Sequence, residues 1–189
     1  MEVSMGQRFA EISQPQMEFI AAQKMFFVAT APEQGHVNLS PKGLDSLRVL
    51  GPRRVLWLNL TGSGNETAAH VLDDPRMTVM FCAFEGAPMI LRLYGQARVI
   101  HRGDADWAEL SAHFPPLPGA RQLFDLDVEL VQTSCGMGVP YFDPREPREQ
   151  LLDWARKQGE AGVRDYWSRK NQTSLDGLPT RILERSGDA

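Results

Sequence analysis

Residues 55–75, VLWLNLTGSGNETAAHVLDDP, decide how the rest of the chain is read. The stretch opens as a strand that sets Val55, Trp57 and Asn59 on one face and Leu56, Leu58 and Leu60 on the other. It then turns through Thr61, Gly62, Ser63, Gly64 and Asn65. A short helix begins near Glu66 and ends before Pro75, because proline disfavours helix at the residue before it and brings no N–H of its own. Ser63 and Glu66 have the S-x-x-E spacing of a capping box. Two glycines let the backbone curl so that successive N–H groups share one hollow, joined by the unpaired N–H groups of the helix start. Strand, glycine turn and helix N-terminus make a seat for a phosphate. A well-capped strand-to-helix turn with no ligand accounts for the same residues equally well.

Outward from this unit the pattern is mostly β. Residues 15–24 read as a helix capped by Ser13, with Met17, Ile20 and Ala21 on one side. Residues 25–31 and 36–40 read as two strands of a hairpin around the turn at Pro32 and Gly35. Ser40, Pro41, Lys42 and Gly43 follow as a turn, and 44–52 as a loop. Residues 77–84 and 89–100 are strands, the second with Gly95 at a bulge or bend. A helix over 104–113 capped by Asp104, a proline-rich loop and a strand over 123–133 come next. In that last strand Asp125, Asp127 and Glu129 alternate with Leu126, Val128 and Leu130, which describes one wet face rather than a metal site. Helices over 149–158 and 163–170 are separated by Gly159 and Gly162, and a polar tail closes the chain. About six strands joined by short turns, with few β–α alternations, predict a mainly β fold with flanking helices, a small split or closed barrel. The domain division expected is 1–143 for the barrel and 144–189 for a helical extension and tail.

Composition narrows the chemistry. The chain has 189 residues, 42% hydrophobic and 23% charged, with a net charge of −4, so no basic field invites nucleic acid or an anionic membrane. It holds no apolar run of about eighteen residues and no basic, apolar leader at its start. Two cysteines, Cys82 and Cys135, outside any C-x-x-C pair, fit free thiols in a reducing cytoplasm. Cys82 reads as core. Cys135, on a glycine turn, reads as a passive thiol more readily than as a nucleophile. His36, His70, His101 and His113 lack metal-ligand spacing and read as surface or capping residues, so no metal site is expected. No G-x-S-x-G elbow is present, and the glycine turn lacks the third glycine of a dinucleotide fingerprint. No catalytic residue is identified. What remains is anion binding: Lys42 stands beside the glycine turn if the strands bearing them are neighbours. Phe26, Phe27, Trp57 and Met80 are available to wall a flat ligand. Phe81, Ile90 and Tyr94, on strands apolar on both faces, are candidates for an outer wall covered by a twofold partner.

Several segments together resemble the pyridoxamine 5′-phosphate oxidase-like flavoproteins. They are Leu39-Ser40-Pro41-Lys42-Gly43, the run LNLTGSGNETA over 58–68, Asp74-Pro75-Arg76 with its following strand, and LYGQARV over 93–99. The Cys135–Pro140 turn and the late segments Lys170-Asn171 and 174–179 are similar to an uncharacterised subfamily. The likeness spans residues 25–139. It implies a split-barrel homodimer with FMN in two clefts at the interface and hydride transfer at flavin N5 from or to a small organic substrate. Lys42, Gly43 and the loop Thr61, Gly62, Ser63, Gly64 and Asn65 would hold the phosphate. Ser40 would lie nearby, and Asn59 would approach the flavin or ribityl chain. The Cys135–Pro140 turn is placed to reach the cofactor from the second subunit. The substrate-binding tryptophan–arginine ending of the authentic oxidases is missing, which argues against a vitamin B6 substrate. The rival expectations are a flavin-binding sensor without turnover, and the same barrel holding deazaflavin or haem.

Overall fold

The computed structural model describes residues 6–143 and 145–187. The expected domain boundary falls on Pro144, and the reading of the leader rests partly on residues 1–5; both lie outside the described residues. In chain order the elements are β1 (Arg8–Phe9), α1 (Gln14–Ala22), β2 (Phe26–Thr30), β3 (Asn38–Lys42), β4 (Leu47–Gly51) and β5 (Arg54–Leu60). Then come α2 (Glu66–Asp73), β6 (Arg76–Cys82), β7 (Ile90–His101), α3 (Trp107–Ser111), β8 (Ala120–Ser134), α4 (Gln150–Lys170) and α5 (Ile182–Arg185). The eight strands form one antiparallel sheet in the order β3-β2-β6-β7-β8-β5-β4, with β1 added alongside β8. Two strands more than expected are present. The sequence predicts a loop at β4; four of its five residues pair with β5, from Leu47 opposite Trp57 to Gly51 opposite Arg54, with a register shift at Leu50.

The sheet curls until its two ends face each other. Phe26 of β2 meets Trp57 of β5 edge-on at 6.3 Å between ring centroids, although three strands separate them along the sheet. Inside the curl, Val55, Trp57, Val79, Phe81, Leu91, Leu93, Phe124, Leu126 and Val128 form the main core. Leu56, Leu58, Ile100 and Leu123 point the other way and bury a second cluster against α3. β5 is therefore apolar on both faces because both are covered, not because one seeks a partner chain. The same holds for Phe81, expected on an outer wall and found 1% exposed in the interior.

The long β7–β8 pair runs from Ile90 opposite Ser134 to His101 opposite Gln122, with a register shift at Tyr94 and Gly95. Glu129 is the extra residue. A Cβ on Gly95 would overlap the Asp127 carbonyl, so close backbone approach requires glycine there. The carboxylate row splits: Asp127 and Glu129 are exposed, whereas Asp125 is nearly buried between Arg54 at 2.8 Å and Arg98 at 2.9 Å. α3 is shorter than read and starts after Asp106. Asp104 instead accepts the His101 N–H at 2.8 Å and pairs with Arg185, which ties the tail at α5 to the barrel. α4 bends at Gly159 (φ 64°, ψ 176°), where the sequence predicted a break. Its inner side is Ala155, Val163 and Trp167, with Ile182 of α5. Of the side of α1 that carries Met17, Ile20 and Ala21, Ala21 is exposed, while Gln16 is buried; on α4 Leu151 is exposed. No helix among the described residues is long and apolar enough to cross a membrane.

Candidate functional site

A cavity of about 300 Å³ opens where β3 faces the end of β5. Its lining includes Asn38, Ser40 and Lys42 of β3, Asn59 of β5, the 62–65 turn, and Arg121 of β8. β3 and β5 are not neighbours in the sheet, as the sequence reading required for Lys42 to reach the turn. Curling of the sheet brings them together instead. Period two in β3 sends Asn38, Ser40 and Lys42 to the same side, so these residues form part of a strand rather than a turn. Pro41 is tolerated there because β3 is an edge strand with β2 as its one partner.

Of the residues singled out in the sequence, Ser40, Lys42, Asn59, Gly62, Ser63, Gly64 and Asn65 line this cavity. Gly43 and Thr61 do not. The Gly43 carbonyl accepts the Ser46 hydroxyl at 2.8 Å. Thr61 lies behind the turn, its hydroxyl donating to the Gly119 carbonyl at 2.9 Å and accepting from Trp167 Nε1 at 2.8 Å. Cys135 is exposed and takes no part in the cavity lining, while Cys82 is buried. Among the described residues no group of three or more His, Cys, Asp or Glu side chains is arranged to hold a metal ion.

The turn differs from the expected geometry. Asn65, not Ser63, is the residue before α2, and neither makes a side-chain cap. Glu66 does not close a capping box, because its Oε2 accepts the N–H of Leu175 at 2.8 Å. Gly62 and Gly64 have no left-handed φ. Their value is space: a Cβ on Gly62 would touch nothing within 4 Å, and one on Gly64 would meet Glu66 Oε1 at 3.2 Å. The Gly62 carbonyl accepts from Asn171 Nδ2 at 3.1 Å and the Gly64 carbonyl from Arg121 Nη1 at 3.0 Å. In a trans peptide the following N–H points the opposite way, so those of Ser63 and Asn65 turn away from Asn171 and Arg121. Among the described residues, the N–H groups of Gly62, Ser63, Gly64 and Asn65 find no protein acceptor.

Arg121 is the residue the sequence reading missed. It is 3% exposed, and burial pushes its guanidinium down to about 9. Nη1 also donates to Asn171 Oδ1 at 2.8 Å. With the Asn59 amide oriented so that its oxygen faces the guanidinium, Oδ1 accepts from Nη2 at 2.9 Å and Nδ2 donates to the Leu60 carbonyl at 3.3 Å. Arg121 Nε and Asn65 Oδ1 are buried without a partner among the described residues. Lys42 Nζ sits 5.1 Å from the Trp57 ring centroid. Burial, then the charge of Arg121, lowers its ammonium to about 8. Among the described residues neither cation forms an ion pair with a carboxylate. Glu66 also lines the cavity, with its Oε2 held by the Leu175 N–H. The donor set therefore fits an anion: two desolvated cations, four free backbone N–H groups and room left by two absent side chains.

Two of the four histidines are not surface residues. His70 is 1% exposed, with Nδ1 3.2 Å from Thr30 Oγ1. His101 is fully buried with Nε2 3.1 Å from the Thr180 carbonyl, and burial lowers it to about 4, so it is neutral. Both are structural anchors, one for α2 against β2 and one for the tail against β7.

Comparison with known proteins agrees with this architecture. The family model for pyridoxamine 5′-phosphate oxidase matches residues 12–135. The pyridoxamine 5′-phosphate oxidase family protein ustO of Aspergillus flavus is 36% identical over 191 residues, spanning 90% of this chain and 76% of that one. Among solved structures, a pyridoxamine 5′-phosphate oxidase-like protein from Lactobacillus delbrueckii superposes with a TM-score of 0.54 at 18% identity, covering 68% of this chain and 98% of its own. HupZ from Group A Streptococcus gives 0.50 at 19% identity, covering 63% and 91%. The two structures share the fold.

Proposed function

The chain belongs to the pyridoxamine 5′-phosphate oxidase family, and from that premise we propose that it is an FMN-binding flavoprotein, with the phosphate seated between Lys42, Arg121 and the 62–65 turn. The observation that carries this reading is the pair of cations facing one cavity without a carboxylate partner. Holding two desolvated like charges side by side is unfavourable, and a bound dianion reverses the sign of that interaction. Asn59 and Ser40 lie on the same cavity, where they are placed to meet the ribityl hydroxyls.

A volume of about 300 Å³ lies at the lower end of what whole small-molecule ligands occupy. It suits a phosphate and part of a ribityl chain, so the flat ring system extends over the rim. A second copy of the chain supplies the missing wall in this proposal, as a homodimer with two shared sites. Exposed Val37 and Leu39 beside the cavity and exposed Met137, Tyr141 and Phe142 on the arm after β8 are the apolar surfaces offered to it. In domain terms this proposal assigns 1–143 to the cofactor-binding barrel and 144–189 to an extension, of which Trp167 and Asn171 pack behind the site.

Bound FMN supplies the redox step, exchanging electrons with a small organic substrate. The chain's own residues fix the phosphate, orient the ribityl chain and set the electrostatics. The activity proposed is that of an oxidoreductase. The test is the absorption spectrum of freshly purified protein together with mass analysis of the released cofactor. Flavin bands and FMN support the reading, whereas a Soret band or a deazaflavin mass overturns it. Bleaching by NAD(P)H and reoxidation by a substrate separate an enzyme from a flavin-binding sensor. Sedimentation over a dilution series, with and without FMN, measures the shared site. A stable monomer binding FMN at full affinity removes the second copy from the site.

A further inference from the structure

The family match ends at residue 135, yet one residue far beyond it touches three parts of the cavity lining. Asn171, at the end of α4, is fully buried and every polar atom it carries is used. Its Oδ1 accepts from Arg121 Nη1 at 2.8 Å, and its Nδ2 donates to the Gly62 carbonyl at 3.1 Å. Its carbonyl accepts from Asn65 Nδ2 at 3.1 Å and from Thr180 Oγ1 at 2.6 Å. Its N–H closes the last turn of α4 on the Trp167 carbonyl at 2.9 Å. Trp167 in turn donates to Thr61 at the start of the glycine turn.

We propose that Asn171 is the positioning residue of the anion seat, so that the C-terminal extension forms part of the binding site rather than a covering for it. This rests on the phosphate reading of the cavity given above. The chemistry demands an amide. One end must accept from a guanidinium while the other donates to a carbonyl, and among side chains of this length only asparagine does both. Holding the Gly62 carbonyl back directs the next N–H away from Asn171. Holding Arg121 Nη1 adds a third anchor to a guanidinium that also donates to the Gly64 carbonyl and to Asn59 Oδ1, and so fixes its plane. Aspartate at 171 would keep the bond to Arg121 but set a carboxylate against it, neutralising a cation the anion is to meet. It would also oppose the Gly62 carbonyl, acceptor against acceptor.

The experiment compares FMN with riboflavin, which lacks the phosphate, on the full chain by flavin fluorescence. Wild type is expected to bind FMN at least about tenfold more tightly than riboflavin. In Asn171→Asp that preference is expected to fall to within about twofold, with riboflavin affinity unchanged. Asn171→Ser, which reaches neither Arg121 nor Gly62, is expected to give the same loss and serves if the aspartate variant does not fold. Thr180→Val removes the outer bond to the Asn171 carbonyl without touching the cavity; it is expected to lower the unfolding temperature and leave the preference intact. If FMN and riboflavin weaken together in the 171 variants, in step with stability, Asn171 is only a helix end and the proposal falls. If wild type shows no preference for FMN, the phosphate reading itself fails and takes the proposal with it.

Discussion

Lys42 gives the anion seat a pH profile whose limits follow from the structure. A phosphate monoester carries its second charge above about pH 6, and Lys42 holds its proton up to about 8. FMN affinity is therefore expected to be greatest between those values. Above pH 8 the free protein must take up a proton on Lys42 to bind the dianion. Affinity then falls by about tenfold, or about 1.4 kcal/mol, per pH unit until the raised pKa of the complex is reached. From pH ~8, where half of the free protein has lost this proton, to pH ~9.5 this amounts to roughly sixteenfold. Folding responds in the opposite sense. The folded ammonium has the lower pKa, so between about 8 and its ordinary 10.5 the unfolded chain binds more protons, and this residue's contribution to stability increases with pH. An affinity that falls while the free protein grows no less stable cannot be ascribed to alkaline unfolding. Isothermal titration with FMN at closely spaced pH values, beside urea unfolding of the free protein, measures both. Lys42→Met is expected to bind about 1.5–3 kcal/mol more weakly at neutral pH and to lose the limb that begins near 8. An affinity flat across that range in the wild type would refute the placement of Lys42 against the phosphate.

Three further outcomes are expected. Gly62→Val is expected to keep the unfolding temperature of the wild type, since a Cβ there meets no neighbour, while its branched methyls fill the seat and FMN affinity drops at least about tenfold; fluorescence titration and a melting curve check the pair. Gly95→Ala, whose Cβ would overlap the Asp127 carbonyl, is expected to cost about 3 kcal/mol by overpacking, measured by urea unfolding. Asp125 is pushed up by burial and pulled down more strongly by Arg54 and Arg98, which leaves its carboxyl below the ordinary range. Its stabilisation is present above the unfolded-state value of 3.8 and is lost as pH falls through the lower folded value, so Asp125→Asn is expected to flatten the acid limb of an unfolding series.

The strand, glycine turn and helix of 55–75 were legible because each carries a local signal: alternation, turn residues and a proline stop. Gly95 and Gly159 were legible for the same reason, as glycines inside otherwise regular patterns. β4 was not, because five residues joined by a tight turn to the next strand hold too little alternation to stand out from a loop. Arg121 was hidden by a different cause. A single arginine before an apolar run reads as surface, and it is the curl of the sheet together with Asn171, 50 residues away, that buries it. The apparent capping box failed because the Glu66 carboxylate is claimed by Leu175, 109 residues later. Local patterns state what a segment prefers, and they carry no record of which distant segment competes for the same atoms.

The two halves of the cavity have different mechanical standing. Arg121 and Asn59 ride on β8 and β5, strands paired on both sides within the sheet. Ser40 and Lys42 ride on β3, which is joined to the rest by a single ladder to β2 from Phe26 opposite Lys42 to Thr30 opposite Asn38. One jaw is thus bolted to the frame while the other hangs from a five-rung hinge at its edge. Flexing β3 outward would widen the seat without breaking a rung between any other strands, and in the proposed reading a dianion gripped by both jaws would be the clasp that the backbone does not provide.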